Sequence, residues 1–212
     1  ISDWKAELLE ASAMAVDHLS LYQLTIEAGT RFGDLYDRGK LKGLPDDGLA
    51  ADMYDATQEL TFLNNMPAYE ISNHALNGAE SRHNLIYWRY GDYVGVGPGA
   101  HGRITSKGNR IATVTTQNPE DWLRNVELKG TATSDDEIIK PRDQASEYLM
   151  MSLRLTEGLD MNRFENLCGT ALDNQVIDKN IQNGLLKVNN NNLIATQRGK
   201  IILNTVIKDL LI

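Results

Sequence analysis

Eight residues near the middle of the chain, Gly95-Val96-Gly97-Pro98-Gly99-Ala100-His101-Gly102, hold four glycines and one proline. A backbone so short of side chains does one of two things. It turns tightly at the end of a sheet, or it lets a ligand or another strand approach closely. Just upstream stands His83-Asn84-Leu85-Ile86-Tyr87-Trp88. Imidazole, carboxamide, phenol and indole are thus gathered in one short window, next to bare backbone. Such a mixture suits a large flat apolar ligand with polar edges.

The spacing Gly95-x-Gly97-x-x-Ala100 satisfies the loose dinucleotide-binding fingerprint. Its context argues against that use. Pro98 interrupts it, and no amphipathic helix follows. Arg103-Ile104-Thr105 and Ile111-Ala112-Thr113-Val114 read as a β-hairpin instead. No Lys-Ser/Thr pair makes the segment a P-loop.

Elsewhere the pattern predicts an α/β chain. A helix runs from a cap at Ser2 or Asp3 to about Asp17, with Trp4, Leu8, Leu9, Ala13 and Val16 on one stripe. His18 to Ile26 alternates and reads as a strand, followed by a loop with Gly29, Gly33, Gly39 and Gly43. Asp46 or Asp47 caps a second helix to about Asn65, with Met53, Ala56, Leu60 and Leu63 inward. Pro67–Ser72 and Asp92–Val96 are further strands. The order helix, strand, helix, strand predicts crossover units and a parallel sheet. A short helix covers Glu120–Leu128, after Asn118-Pro119.

Residues 131–141 read as a linker between a first region, 1–130, and a second, 142–212. The second region predicts helices over Arg142–Leu155, Asn162–Leu167 and Leu172–Gln182. A hairpin over Leu185–Thr196 with the tip Asn189–Asn192 follows, then a closing helix over Gln197–Leu211. This order resembles a winged-helix module.

Charge and cysteine usage exclude several functions. Net charge is -8, and residues 142–212 hold 8 Lys/Arg against 8 Asp/Glu. No segment is basic, and the hairpin tip has no Lys or Arg, so a nucleic-acid partner lacks its electrostatic footprint. The single Cys168 allows no internal disulfide and no cysteine-rich metal motif, which fits a reducing cytoplasm. No apolar run approaches the roughly 20 residues of a membrane span. The chain opens on Ile1 rather than Met. It therefore reads as part of a longer protein, or as one released from a tag.

All four histidines, His18, His74, His83 and His101, lie in the first half. No pair has the i, i+4 spacing of a zinc-peptidase site. His18 and His74 read as structural. His83, with Asn84, Tyr87 and Trp88, builds one side of a porphyrin-sized slot, or else pins a loop between buried aromatic anchors. Asp46-Asp47 and Asp135-Asp136-Glu137 read as a helix cap and a solvated segment. Cys168 reads as structural.

Four stretches together, His18–Glu27, Tyr69–Asn73, His83-Asn84-x-x-Tyr87-Trp88 and Gly95–Gly102, resemble the HemW family. These are haem chaperones related to oxygen-independent coproporphyrinogen III oxidase, within the radical S-adenosylmethionine proteins. The resemblance covers the whole chain. It implies the later strands of a partial (β/α) barrel over 1–130, then a winged-helix-like C-terminal module. It implies a parent whose upstream half binds a [4Fe–4S] cluster through Cys-x-x-x-Cys-x-x-Cys, with S-adenosylmethionine on the fourth iron site. That cysteine motif does not occur in this sequence, so the chain is expected to be inactive by itself in radical chemistry.

From the resemblance, His83, Asn84, Tyr87, Trp88 and His101 inherit haem contact, and Gln23, Ala75 and Gly97 inherit contact with S-adenosylmethionine. It implies haem or a porphyrin as ligand and haem-recipient proteins as partners. An open sheet edge, if present, would be covered or paired with another chain, a second copy included. The sequence departs from the family at Ala28 and Asn77, where relatives often carry proline, and at Ser81, where cysteine is frequent. Three functions are thus weighed: haem delivery first, coproporphyrinogen III oxidation second, and nucleic-acid binding third.

Overall fold

The computed structural model describes residues 1–211. The chain divides into two compact units, Ile1–Glu80 and Ser81–Ile212.

In the first unit, helices α1 (Ser2–Met14) and α3 (Asp47–Leu63) pack together. The indole N–H of Trp4 donates to the Thr57 hydroxyl at 2.9 Å across that contact. Leu8, Ala56 and Thr61 are buried. Asp46 caps α3 as the sequence suggests, accepting from the Leu49 amide at 2.8 Å. Helix α1 has no side-chain cap, since Ile1 takes that position and Asp3 instead sits in the first turn, where a carboxylate favours the helix dipole. It ends at Met14 because Ala15 turns extended. The predicted stripe is narrower than expected: Leu9, Val16 and Leu63 all point to solvent.

Strands β1 (His18–Ser20) and β2 (Asn73–Ala75) form a two-stranded antiparallel sheet, with His18 opposite Ala75. The predicted parallel sheet is therefore corrected: every strand pair among the described residues is antiparallel. The cause lies at 69–73. There the chain reverses, with the Tyr69 amide donating to Asn73 O at 3.1 Å, and Ala68 bridges His74. The sequence pattern marked the approach arm, Pro67–Ser72, whereas β1 pairs with the return arm. Buried Glu70 holds the reversal by accepting from the Ser72 amide at 3.1 Å and from the Asn73 carboxamide. The strand expected to reach Ile26 ends at Ser20, with one further backbone bond from the Leu21 amide to Ser72 O at 2.8 Å, and Tyr22 and Leu24 are exposed. Within the expected glycine loop, α2 (Arg31–Asp37) forms, because the Thr30 hydroxyl caps the Gly33 amide at 3.0 Å.

The second unit opens with α4 (Arg82–Trp88), a helix that the periodicity does not predict. The hairpin of β3 (His101–Ser106) and β4 (Asn109–Thr115) forms as predicted. Asp92–Val96 is no strand; it meets β3 through one backbone bridge, Tyr93 to Arg103, and through the Asp92 carboxylate, which accepts from Thr105. Helix α5 (Pro119–Lys129) is capped by Asn118 and closed by Gly130 in the left-handed region. The presumed linker is instead β5 (Thr133–Ile138), the third strand of the β3-β4-β5 sheet. Its polar sequence hides the strand because all six of its residues are exposed and it joins β4 by backbone pairing and by the Ser134 hydroxyl, which donates to Val114 O at 3.1 Å.

Helices α6 (Pro141–Ser152), α7 (Met161–Cys168) and α8 (Asn174–Gln182) precede the hairpin of β7 (Leu186–Asn189) and β8 (Asn192–Ala195). The short strand β6 (Leu159–Asp160) adds to that hairpin in the order β6-β8-β7, giving a winged-helix-like module. Asn190 and Asn191 make its two-residue turn at φ 47° and 70°, the left-handed pair that asparagine tolerates best after glycine. The closing helix breaks at Ile202 into α9 (Gln197–Ile201) and α10 (Leu203–Leu210). Leu149, Leu153, Leu159, Phe164, Leu193 and Val206 form the buried centre. Cys168 donates its thiol to Thr170 O at 3.2 Å, a structural contact.

Candidate functional site

Helix α4 exists because Ser81 accepts from the Asn84 amide at 3.3 Å and because its far end is fastened. Tyr90, at φ 53°, ends it in the left-handed region. The Arg163 guanidinium of α7 donates to Arg89 O at 2.8 Å and Tyr90 O at 3.2 Å, satisfying carbonyls at the helix end. Arg89 and Glu157 form a two-bond ion pair at 2.7 Å.

The helix then sorts its side chains by spacing. His83 and Tyr87 are i, i+4 neighbours, with rings 4.7 Å apart edge to face. Tyr87 in turn lies 4.3 Å from Tyr93, again edge to face. Asn84 and Trp88 form the adjacent i, i+4 row, and the Arg154 guanidinium stands 5.8 Å over the Trp88 ring. Among the described residues α4 has no buried side chain; His83 is exposed and Asn84, Tyr87 and Trp88 are half-buried.

Below this row a cleft of about 200 Å³ opens, lined by Tyr87, Tyr93, Met150 and Met151, with Tyr90, Arg103 and Glu147 at its polar end. Glu147 accepts from Arg103 Nη2 at 2.8 Å, Arg103 Nε at 3.2 Å and the Tyr90 hydroxyl at 2.6 Å. Burial opposes ionisation of Glu147, but the Arg103 and Tyr90 bonds outweigh it and hold the carboxyl below the usual glutamate range. Burial first, and then the bond to Glu147, pushes the Tyr90 phenol up. Burial likewise raises the Tyr93 phenol. Arg110 stacks 3.9 Å over the Tyr90 ring and donates to Asp92 at 2.6 Å. Asp92 also accepts from the Thr105 amide and hydroxyl, and these bonds overcome burial to keep its carboxyl low.

The glycine segment is the close approach the sequence suggested. A Cβ on Gly95 would stand 2.5 Å from His101 O, and one on Gly102 would stand 2.5 Å from the Thr113 hydroxyl. Gly97, at φ 103°, faces open space, and its carbonyl accepts from Thr115 at 2.5 Å. No helix follows, so the dinucleotide reading fails in the structure too.

The structure therefore brings His83, Asn84, Tyr87 and Trp88 onto one short helix and adds Tyr93. His101 is exposed at the start of β3. Gln23 and Ala75 belong to the Ile1–Glu80 unit, where Gln23 is exposed and Ala75 is buried with its amide donating to Pro67 O. Sequence reasoning missed Tyr93, Arg103, Glu147, Met150 and Met151. The recurrence of tyrosine at 87, 90 and 93 beside the histidine was an available signal for the first. Glu147 and the methionines, distant in the chain, gave none.

An exposed imidazole can ligate an iron centre, and the adjoining ring edges can pack on a flat macrocycle. The cleft is smaller than the roughly 300–1,000 Å³ of small-molecule pockets, so a whole tetrapyrrole does not enter it. Among the described residues no group of three His, Cys, Asp or Glu side chains could hold a metal ion. With one cysteine the chain does not fit an iron–sulfur cluster of its own. No helix among the described residues is long and apolar enough to cross a membrane.

Residues 139–202 match the family model of the HemN C-terminal domain. The chain is 33% identical over 222 residues to the zebrafish (Danio rerio) "Radical S-adenosyl methionine domain-containing protein 1, mitochondrial", covering 100% of this chain and 50% of that protein. It is 33% identical over 206 residues to "Heme chaperone HemW" of Haemophilus influenzae, covering 95% of this chain and 51% of that one. Among solved structures it resembles the radical SAM enzyme coproporphyrinogen III oxidase (HemN) of Escherichia coli, with a TM-score of 0.68 at 15% identity, over 96% of this chain and 50% of that chain. That likeness shows a shared fold. The chain spans about half the length of the curated relatives it matches.

Proposed function

We propose that this chain, which belongs to the HemN/HemW family of radical S-adenosylmethionine proteins, supplies the haem-contacting surface of a haem-delivery protein. One observation carries the reading. Helix α4 is held at both ends yet leaves His83 exposed beside the Tyr87–Tyr93 ladder. Aromatic residues that served only as core anchors would be sealed. Here they form an open, rigid face with a metal-ligating imidazole at its edge.

In this reading His83, Asn84, Tyr87 and Trp88 face the haem, and His101 of β3 is a further contact. Gln23, Ala75 and Gly97 border S-adenosylmethionine, whose [4Fe–4S] partner would be ligated by cysteines outside this sequence. The partners are haem and haem-recipient proteins, a second copy of the chain is a candidate for any open sheet edge, and the setting is cytoplasmic. Oxidation of coproporphyrinogen III is the second reading, and the relative at 15% identity supports it by fold alone. A nucleic-acid role is disfavoured by the neutral C-terminal module and by a wing tip made of Asn190 and Asn191.

The test is an absorbance titration of the full-length protein with haem. The pair His83→Ala and Tyr87→Ala weakens binding about tenfold or more, a loss of about 1.4 kcal/mol per decade, while the circular dichroism spectrum is retained. Unchanged affinity in the double variant overturns the assignment. Turnover of coproporphyrinogen without haem binding would put the oxidase reading first.

A further inference from the structure

We infer that the cleft beside α4 seats the neutral, vinyl- and methyl-bearing edge of a haem and rejects a carboxylate-bearing edge, so that the site selects a two-propionate tetrapyrrole over a four-propionate one. The inference rests on the haem-contact reading of α4.

The charges at the cleft carry the argument. Every guanidinium nitrogen of Arg103 is engaged: Nε and Nη2 with Glu147, and Nη1 with Gly102 O at 3.0 Å. Arg110 is stacked on Tyr90 and paired to Asp92, with its unpartnered Nε buried. Arg154 and Arg163, which reach Met150 and Tyr90 of the cleft lining, donate to Asn204 and to the carbonyls of Met150, Arg89 and Tyr90. A propionate entering here finds these arginines already engaged and meets the ionised Glu147. It would lose water and gain like-charge repulsion. A vinyl or methyl group meets the opposite conditions. Tyr87 and Tyr93 present ring surface, and Met150 and Met151 present flexible, polarizable thioethers that adapt to an irregular edge. At about 200 Å³ the cleft takes one edge of a macrocycle and not its whole body. The face of the ring is then left on the exposed row of α4, where His83 stands.

The full-length protein is titrated separately with three iron porphyrins. Haem carries vinyls and two propionates. Iron mesoporphyrin carries ethyls in place of the vinyls, with the same two propionates. Iron coproporphyrin III carries four propionates and no vinyl. Haem and iron mesoporphyrin bind alike, and iron coproporphyrin at least about tenfold more weakly. Equal or tighter binding of iron coproporphyrin overturns the cleft inference and leaves the haem-contact reading standing. Failure of all three to bind overturns that reading, and this inference with it. In Glu147→Gln the freed Arg103 guanidinium offers a cation to a propionate, so the preference for haem over iron coproporphyrin falls about tenfold. A well-folded Glu147→Gln protein with an unchanged preference also overturns the inference. Should that variant fail to fold, the three-porphyrin comparison on the unaltered protein decides alone.

Discussion

Glu147 and Gly95 show how single residues govern this site in different ways. Glu147 is half-buried and its carboxyl is held low by Arg103 and Tyr90. A depressed carboxyl stabilises the fold above its ordinary value of 4.5, and that contribution is lost as pH falls through the lower folded value. Unfolding midpoints in urea should therefore drop as the solution is acidified below that value, and the drop should be shallower in Glu147→Gln. An acid limb of equal steepness in the two proteins would refute the assignment. Gly95 acts by what it lacks. An added Cβ would meet His101 O at 2.5 Å and His101 C at 2.7 Å, both backbone atoms that cannot swing aside. Gly95→Ala should cost about 1–3 kcal/mol, as overpacking does elsewhere, read as a lower midpoint in chemical denaturation. A midpoint within error of the parent would mean that the loop relaxes freely.

At the scale of elements, α4 is short enough that its ends decide whether it forms. A seven-residue helix is far below the length at which helices hold in isolation. Ser81→Ala removes the cap on the Asn84 amide and should cost about 0.5–1 kcal/mol, the low end because the bond is long at 3.3 Å. Haem affinity should fall with it, since His83 and Tyr87 lose their fixed spacing; retained affinity would detach the cap from the site. This element also marks what the sequence discloses. The residue types of His83, Asn84, Tyr87 and Trp88 are readable directly, but the helix that aligns them is not, because its C-terminal end is secured by Arg163 and Glu157 from far along the chain. The hairpins were legible where local chemistry decides them, at the Asn190-Asn191 turn and at β3–β4. Strand β5 and the return arm β2 were not. Strand β5 buries no side chain, so it leaves no alternation to read, and β2 is set by the reversal around Glu70.

Across the whole molecule, the proposed haem contact and an iron–sulfur cluster call for different residue types. The proposed haem contacts lie within these 212 residues, while a cluster of the family's kind needs three thiolates and this sequence has one cysteine, Cys168, already bonded to Thr170 O. The 212-residue chain produced alone and treated anaerobically with ferrous iron and sulfide should therefore hold no [4Fe–4S] cluster, giving iron well below one cluster per chain and none of the broad visible absorption. Titrated with haem, the same preparation should still shift the haem absorbance, and His83→Ala with Tyr87→Ala should diminish that shift. Both halves of the result matter. A cluster assembled on this chain would show that the metal ligands were misjudged. Loss of haem binding in a chain whose circular dichroism matches the helices and hairpins described here would show that α4 and its tyrosine ladder do not suffice for recognition.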